Sequence, residues 1–204
     1  KQGEFVMNEG THKIASPTGA ALFALAVACF MFWALFLGWV TGGAVIIMAV
    51  LLIACAIPQL MASIFDLLKG NALFGNVMCY FASFFMVGTA LTLIVEYLCG
   101  ITGWPVDPTL LGFAWIVLAL ALWGWTPALL THSPLGFGIL AIAADIALMC
   151  VAVSHFGVAV HALHTISGWL LFIVGIIGIY YGWATVLAEH YEREVLPLGK
   201  PLIH

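Results

Sequence analysis

Six long apolar runs divide this chain, and every Lys and Arg lies at the same set of run ends. The runs are roughly Thr18–Val40, Gly43–Phe65, Gly75–Leu98, Pro108–Leu130, Leu135–Phe156 and Ser167–Leu187. Each reaches the ~20 residues that an α-helix needs to cross the hydrocarbon core of a bilayer. Runs so long and so numerous do not fit the core helices of a water-soluble domain. Of the 204 residues, 65% are hydrophobic and 7% charged, which leaves no length for a soluble lobe. The fold class is therefore an all-α integral membrane protein, with six transmembrane helices in one compact bundle per protomer. Residues 18–190 are expected to form the transmembrane domain, flanked by an N-terminal segment 1–17 and a tail 191–204.

Charge placement orients the bundle. Lys1 and Lys13 precede the first run, Lys69 lies between the second and third, and Arg193 and Lys200 follow the sixth. The connections after runs one, three and five carry no Lys or Arg. By the positive-inside bias, both termini are expected in the cytoplasm. The first seventeen residues are polar and show no cleavable-signal pattern, so the first helix is expected to serve as the insertion signal. A chain opening on Lys1 is expected to lack its original start. No basic patch invites nucleic acid and no polybasic cluster invites anionic lipid. Cys29, Cys55, Cys79, Cys99 and Cys150 have no metal-ligand spacing and read as small buried hydrophobes.

Short connections force neighbouring helices to lie antiparallel and leave no extramembrane lobe for enzymatic chemistry. Small residues recur at contact spacing: Ala20, Ala24 and Ala28 in the first run, Gly178 and Gly182 in the sixth. Such positions let membrane helices approach when burial from water no longer drives them together. Pro58 and Pro127 lie inside runs and are expected to kink them.

Polar residues inside the runs are the candidates for function. No Lys or Arg lies there, so a path for an anion must rely on neutral dipoles. Gln59, Asn71, Asn76 and Tyr80 are the candidates. Gly70-Asn71 and Gly75-Asn76 read as a broken helix start that turns amides inward, or as a helix cap followed by an ordinary interhelical bond. Asp145 sits near the middle of the fifth run with no basic residue at its depth. A carboxylate at mid-bilayer costs ~3 kcal/mol or more. Asp145 is thus a proton-coupling candidate facing a wet path, or a protonated carboxyl in a structural hydrogen bond. Glu96 lies near the outer end of the third run, within reach of headgroups. His155, His161 and His164 cluster between the fifth and sixth runs and read as solvated loop residues. Haem would require histidines facing each other at depth, and none of the seven lies so. No cofactor and no metal is expected.

Two stretches resemble a known family. Around the third run the chain reads Lys69-Gly70-Asn71, then Cys79-Tyr80-Phe81-Ala82-Ser83-Phe84-Phe85. Its end carries Gly168-Trp169, Tyr180, Glu189, Tyr191, Arg193 and Val195-Leu196-Pro197-Leu198-Gly199. Both are similar to the acetate uptake transporter family, the succinate–acetate permeases of bacteria and archaea with relatives in fungi. Gln59 matches a family glutamine. The departures are specific. Only Ser16-Pro17-Thr18-Gly19 remains of the family's NPAPLGL-type opening, and the family's helix-six glutamate is Thr185 here. The family's constriction takes a phenylalanine from helix one, a tyrosine from helix three and a leucine from helix five. These correspond to Phe23, to Phe81 (without the hydroxyl, though Tyr80 is adjacent), and to Ala144 or Asp145.

The resemblance implies a transporter of small monocarboxylates in the cytoplasmic (inner) membrane of a bacterium or archaeon, acetate first and succinate second, proton-coupled or channel-like. It also implies a homohexamer in which each protomer has its own path. Asp145 and the lost tyrosine suggest an alternative, a pore for urea or ammonium. The His and Trp content suggests another, a membrane anchor of a redox complex.

Overall fold

A computed structural model describes residues 15–203; Lys1, Lys13 and most of the expected N-terminal segment lie outside the described residues. Six helices are long and apolar enough to span a membrane. They are α1 (Thr18–Phe36), α2 (Ala44–Leu68), α3 (Ala72–Thr102), α4 (Thr109–His132), α5 (Leu135–Ser154) and α6 (Val160–Tyr191). Each packs on its neighbours in sequence, and α1 packs on α6, so the six close into a ring. Short connections explain that order, because a helix that reverses within a few residues must lie beside its predecessor.

The amino ends of α1, α3 and α5 and the carboxyl ends of α2, α4 and α6 share one face of the ring, hereafter the terminal face. α2 and α4 run through Pro58 and Pro127 without ending. α6 begins at Val160 rather than near Ser167, which places His161 and His164 on a helix and not in a loop. Gly103 ends α3 in the left-handed conformation (φ 73°), its N–H donating to the Cys99 carbonyl, a cap that suits a residue without Cβ.

The α1–α6 contact is the closest in the ring, and glycine makes it possible. A Cβ at Gly178 would stand 3.2 Å from the Leu22 carbonyl oxygen, and one at Gly182 would stand 3.1 Å from the Phe23 ring. Of the alanines in α1, Ala24 and Ala28 are buried whereas Ala20 is exposed. α3 and α4 make the thinnest contact between neighbours. There α3 turns π-helical from Phe81 to Gly88. Ser83 Oγ donates to the carbonyl of Cys79 at 2.8 Å, at the start of this segment. Single π-helical turns inside α-helices shift the register of the residues beyond them, and they concentrate at functional sites.

Candidate functional site

The ring encloses an internal cavity of about 50 Å³ to which all six helices contribute. α1 presents Leu22, Leu25 and Cys29, α2 presents Gln59, and α3 presents Met78, Phe81 and Phe85. Leu122 of α4, Ala141, Ala144 and Leu148 of α5, and Leu171 and Val174 of α6 complete the belt. Among these lining residues Gln59 supplies the one strong hydrogen-bonding side chain. It is 1% exposed, and its Oε1 is buried without a hydrogen-bond partner. An orphaned buried acceptor typically costs about 1–3 kcal/mol, so a guest that donates to it gains correspondingly.

Both ends of the cavity are covered. At the terminal face, residues 194–203 fold back beneath α4 and α5. Tyr181 Oη accepts from the Gly136 N–H at 2.9 Å and donates to the Leu198 carbonyl at 2.6 Å. Tyr180 Oη donates to the Pro197 carbonyl at 2.7 Å, and the Leu202 and Ile203 N–H groups reach the Leu130 carbonyl at 3.1 Å. Leu198 packs against the small cluster of Ala21, Leu22, Ala62, Met78 and Tyr181, and Leu22 and Met78 of that cluster also line the cavity. At the opposite face the axis is filled by rings. Phe32 lies 5.2 Å from Phe85 and 6.3 Å from Trp115, centre to centre. His164 stacks on Phe36 at 4.5 Å and bonds Ser154 Oγ at 3.0 Å, while His155 stacks on Trp115. Contrary to the expectation of three solvated loop histidines, only His161 is exposed. Burial pushes the His155 imidazole below its ordinary range.

The sequence candidates separate into groups. Gln59, Phe81 and Ala144 line the cavity. Phe23 does not; its ring packs edge-on against Trp183 and covers Gly182 on the outer side of α1 and α6. Asn71 is exposed and caps α3, its Oδ1 accepting from the Phe74 N–H at 3.4 Å. Asn76 is also exposed, and its Nδ2 donates to the Ala72 carbonyl at 2.7 Å. With Tyr80, Ser83 and Trp125 it lines a groove on the outside of the α3–α4 seam. The inward-turned amides expected at Gly70-Asn71 and Gly75-Asn76 are therefore not found, because each amide satisfies its own helix start.

Asp145 is buried but is not among the cavity-lining residues. Its Oδ2 lies 2.8 Å from Thr126 Oγ1 on α4, which in turn lies 2.9 Å from the Leu122 carbonyl. One hydroxyl proton shared between two acceptors makes only a weaker three-centre bond. A protonated Asp145 resolves the conflict by donating to Thr126, which then donates to Leu122. Sequence reasoning missed Thr126, and Met78 and Phe85 as lining; no residue pattern marks them, since lipid-facing and axis-facing positions are equally apolar.

No family model matches this sequence. No curated protein matches it either. Among solved structures, the chain is similar to the bacterial acetate channel SatP, with a TM-score of 0.76 at 21% identity over 92% of this chain and 100% of that one. The six-helix membrane ring is thus the fold of an acetate channel.

Proposed function

We propose that this protein is a transporter of small monocarboxylates, acetate above all, that acts by passage through the axial cavity and not as an enzyme. The observation that carries the reading is an apolar cavity with one buried amide, Gln59, on the axis of a fold shared with an acetate channel. At about 50 Å³, and roughly 10–15 Å³ per water-sized group, the cavity holds about four such groups. That suits a methyl attached to a carboxyl and is small for succinate, which would require the cover at one end to move. Phe81 and Phe85 act as the constriction from α3, with Leu22 taking the place on α1 that the family resemblance gave to Phe23. The resemblance further supports a homohexamer with a path in each protomer, set in the cytoplasmic membrane with both termini inside.

Uptake of labelled acetate into proteoliposomes, with succinate, urea and ammonium as competitors, tests the reading. Protein-dependent acetate entry that urea and ammonium do not displace, and that succinate displaces weakly, is expected. Entry of ammonium or urea alone would replace it with the neutral-solute pore. That alternative leaned on Asp145 and on the lost tyrosine; Asp145 is turned toward Thr126, whereas Phe81, without the hydroxyl, does line the cavity. A haem absorption band in the purified protein would favour the redox anchor instead.

A further inference from the structure

We propose that Tyr181 is a latch on the terminal end of the cavity: through one hydroxyl it fastens the tail to the first turn of α5, and so holds Phe137 in place as the closing ring. The inference rests on the transport reading above and names the residue that governs entry from the terminal face. Phe74 and Phe137 both line the cavity, and each belongs to the first turn of its helix, α3 or α5. They are the lining residues nearest the terminal face on those helices, and their rings meet edge-on at 5.2 Å, centre to centre. Tyr181 engages Phe137 in two ways. Its ring packs on Phe137 at 4.6 Å, and its Oη accepts the N–H of the preceding residue, Gly136, at 2.9 Å. That N–H is one of the first-turn donors that a helix cannot satisfy internally. Gly136 permits the approach, because a Cβ there would overlap the Tyr181 ring. The hydroxyl proton goes to the Leu198 carbonyl at 2.6 Å, so the two bonds use different halves of the hydroxyl and do not compete.

The tail beyond that hydroxyl has little else to hold it. Val195, Leu202 and Ile203 are exposed, and Leu198 is half-buried. Its other anchors are hydrogen bonds. Tyr180 Oη donates to the Pro197 carbonyl at an exposed position, and the Leu202 and Ile203 N–H groups share one carbonyl, that of Leu130. The Leu198 N–H is bonded within the tail, to Glu194 Oε1 at 2.9 Å. Segments with few buried apolar contacts open at low free-energy cost. Tyr181, by contrast, is 4% exposed and belongs to α6, which packs closely on α1. One hydroxyl thus ties an easily opened segment and the first turn of α5 to the most closely packed wall of the ring. While both bonds hold, Phe137 stays against Phe74. When they open, the tail and the first turn of α5 come free together, and the terminal end widens. In the same step Leu198 withdraws from Leu22 and Met78, two further lining residues.

Tyr181→Phe tests the latch, because it keeps the ring on Phe137 and removes both bonds. Hydrogen exchange of the purified full chain, read by mass spectrometry, is expected to run about tenfold faster at Gly136 and over residues 198–203, the factor that one or two ordinary hydrogen bonds supply. In proteoliposomes at one pH, with protein-free vesicles subtracted, acetate entry is expected to rise several-fold and butyrate to gain on acetate. Tyr180→Phe is the control. Its hydroxyl bonds only the tail, so the tail amides should loosen while Gly136, acetate entry and acid preference stay as they were. Exchange at Gly136 that is no faster in Tyr181→Phe would overturn the latch. Acetate entry that does not rise, or an acid preference that does not shift, would also overturn it and leave Tyr181 as a tether of the tail. Should Tyr181→Phe fail to fold, Leu198→Ala decides, since it keeps the hydroxyl and empties the tail's place against Leu22 and Met78. Butyrate must gain on acetate there too, and an unchanged preference overturns the latch. Absence of any protein-dependent acetate entry in the unaltered protein would overturn the transport reading, and the gating role with it, whatever the exchange shows.

Discussion

The two seams of the ring that meet at α1–α6 and α3–α4 are built on opposite principles. At α1–α6, glycines bring backbone against backbone, and a Cβ at Gly178 would meet a carbonyl oxygen that has nowhere to go. At α3–α4 the helices stand apart, and aromatic rings bridge the gap: Tyr80 against Trp125 at 6.3 Å and Phe84 against Trp115 at 5.8 Å. The outer groove beside them is lined by Asn76, Cys79 and Ser83. Close backbone packing has a single low-energy arrangement, whereas rings on a π-helical segment have alternative rotamers and registers available. Phe81 and Phe85, the rings lining the cavity from α3, belong to the second kind of seam. A path through the cavity, as proposed above, would then open on the α3 side, against a wall formed by α1 and α6.

The largest effect is expected at the rigid seam. Gly178→Leu forces a branched side chain against the Leu22 carbonyl and should cost about 3 kcal/mol, the upper end for overpacking. Thermal unfolding in detergent checks this. A melting temperature equal to that of the unaltered protein would show that α1 and α6 can part freely, and the contrast between the seams would collapse.

At the loose seam, Phe81→Leu removes a ring from the cavity wall and should cost about 1–1.5 kcal/mol. Its sharper signature is in transport: faster acetate flux and entry of larger acids, because an apolar constriction gates by excluding water. Phe23→Leu is the matched control, since that ring lies outside the cavity against Trp183. It should leave selectivity unchanged. If Phe23→Leu widens selectivity and Phe81→Leu does not, the path runs along the outer side of α1.

The six spans and their antiparallel order were legible in the sequence because long apolar runs and short loops leave few alternatives. The rotation of each helix was not legible. In α1 both the lipid side and the axis side are apolar, so nothing distinguishes Leu22, which faces the cavity, from Phe23, which does not. In water a polar face would have given the answer. The π-helical segment of α3 left no mark either, since Phe81–Gly88 reads as an ordinary apolar stretch. Gln59 was legible because an amide in the middle of an apolar run has few reasons to be there. The role of Asp145 depended on Thr126, and a partner on another helix cannot be read from one sequence.

That pair defines a smaller effect. Double-mutant cycles across Thr126 and Asp145 should give a coupling of about 0.6–1 kcal/mol, typical for hydrogen bonds between membrane helices. Asp145→Asn should keep most of it, because the amide can donate to Thr126 as the protonated acid does. Under one proton gradient, Asp145→Asn and Asp145→Leu should both retain the protein-dependent pH response of acetate flux. If both lose it, Asp145 couples the proton itself, and α4–α5 must join the moving side of the ring.

The smallest effect lies in the connection that crosses the loose seam. Asp107 Oδ1 accepts the Thr109 N–H at 2.9 Å at the start of α4. The Thr109 hydroxyl and then its N–H hold the Asp107 carboxyl below its ordinary value, with slight opposition from desolvation. A carboxyl whose pKa is lower when folded adds stability above its unfolded value near 4, and this is lost as pH falls through the folded value. The group is exposed, so the contribution is minor and weakens further in salt. Asp107→Asn should flatten the part of the melting-temperature curve below about pH 5 and leave the neutral range nearly unchanged. A fall at neutral pH as large as that of Gly178→Leu would mean that this loop, and not the aromatic rings, holds α3 against α4.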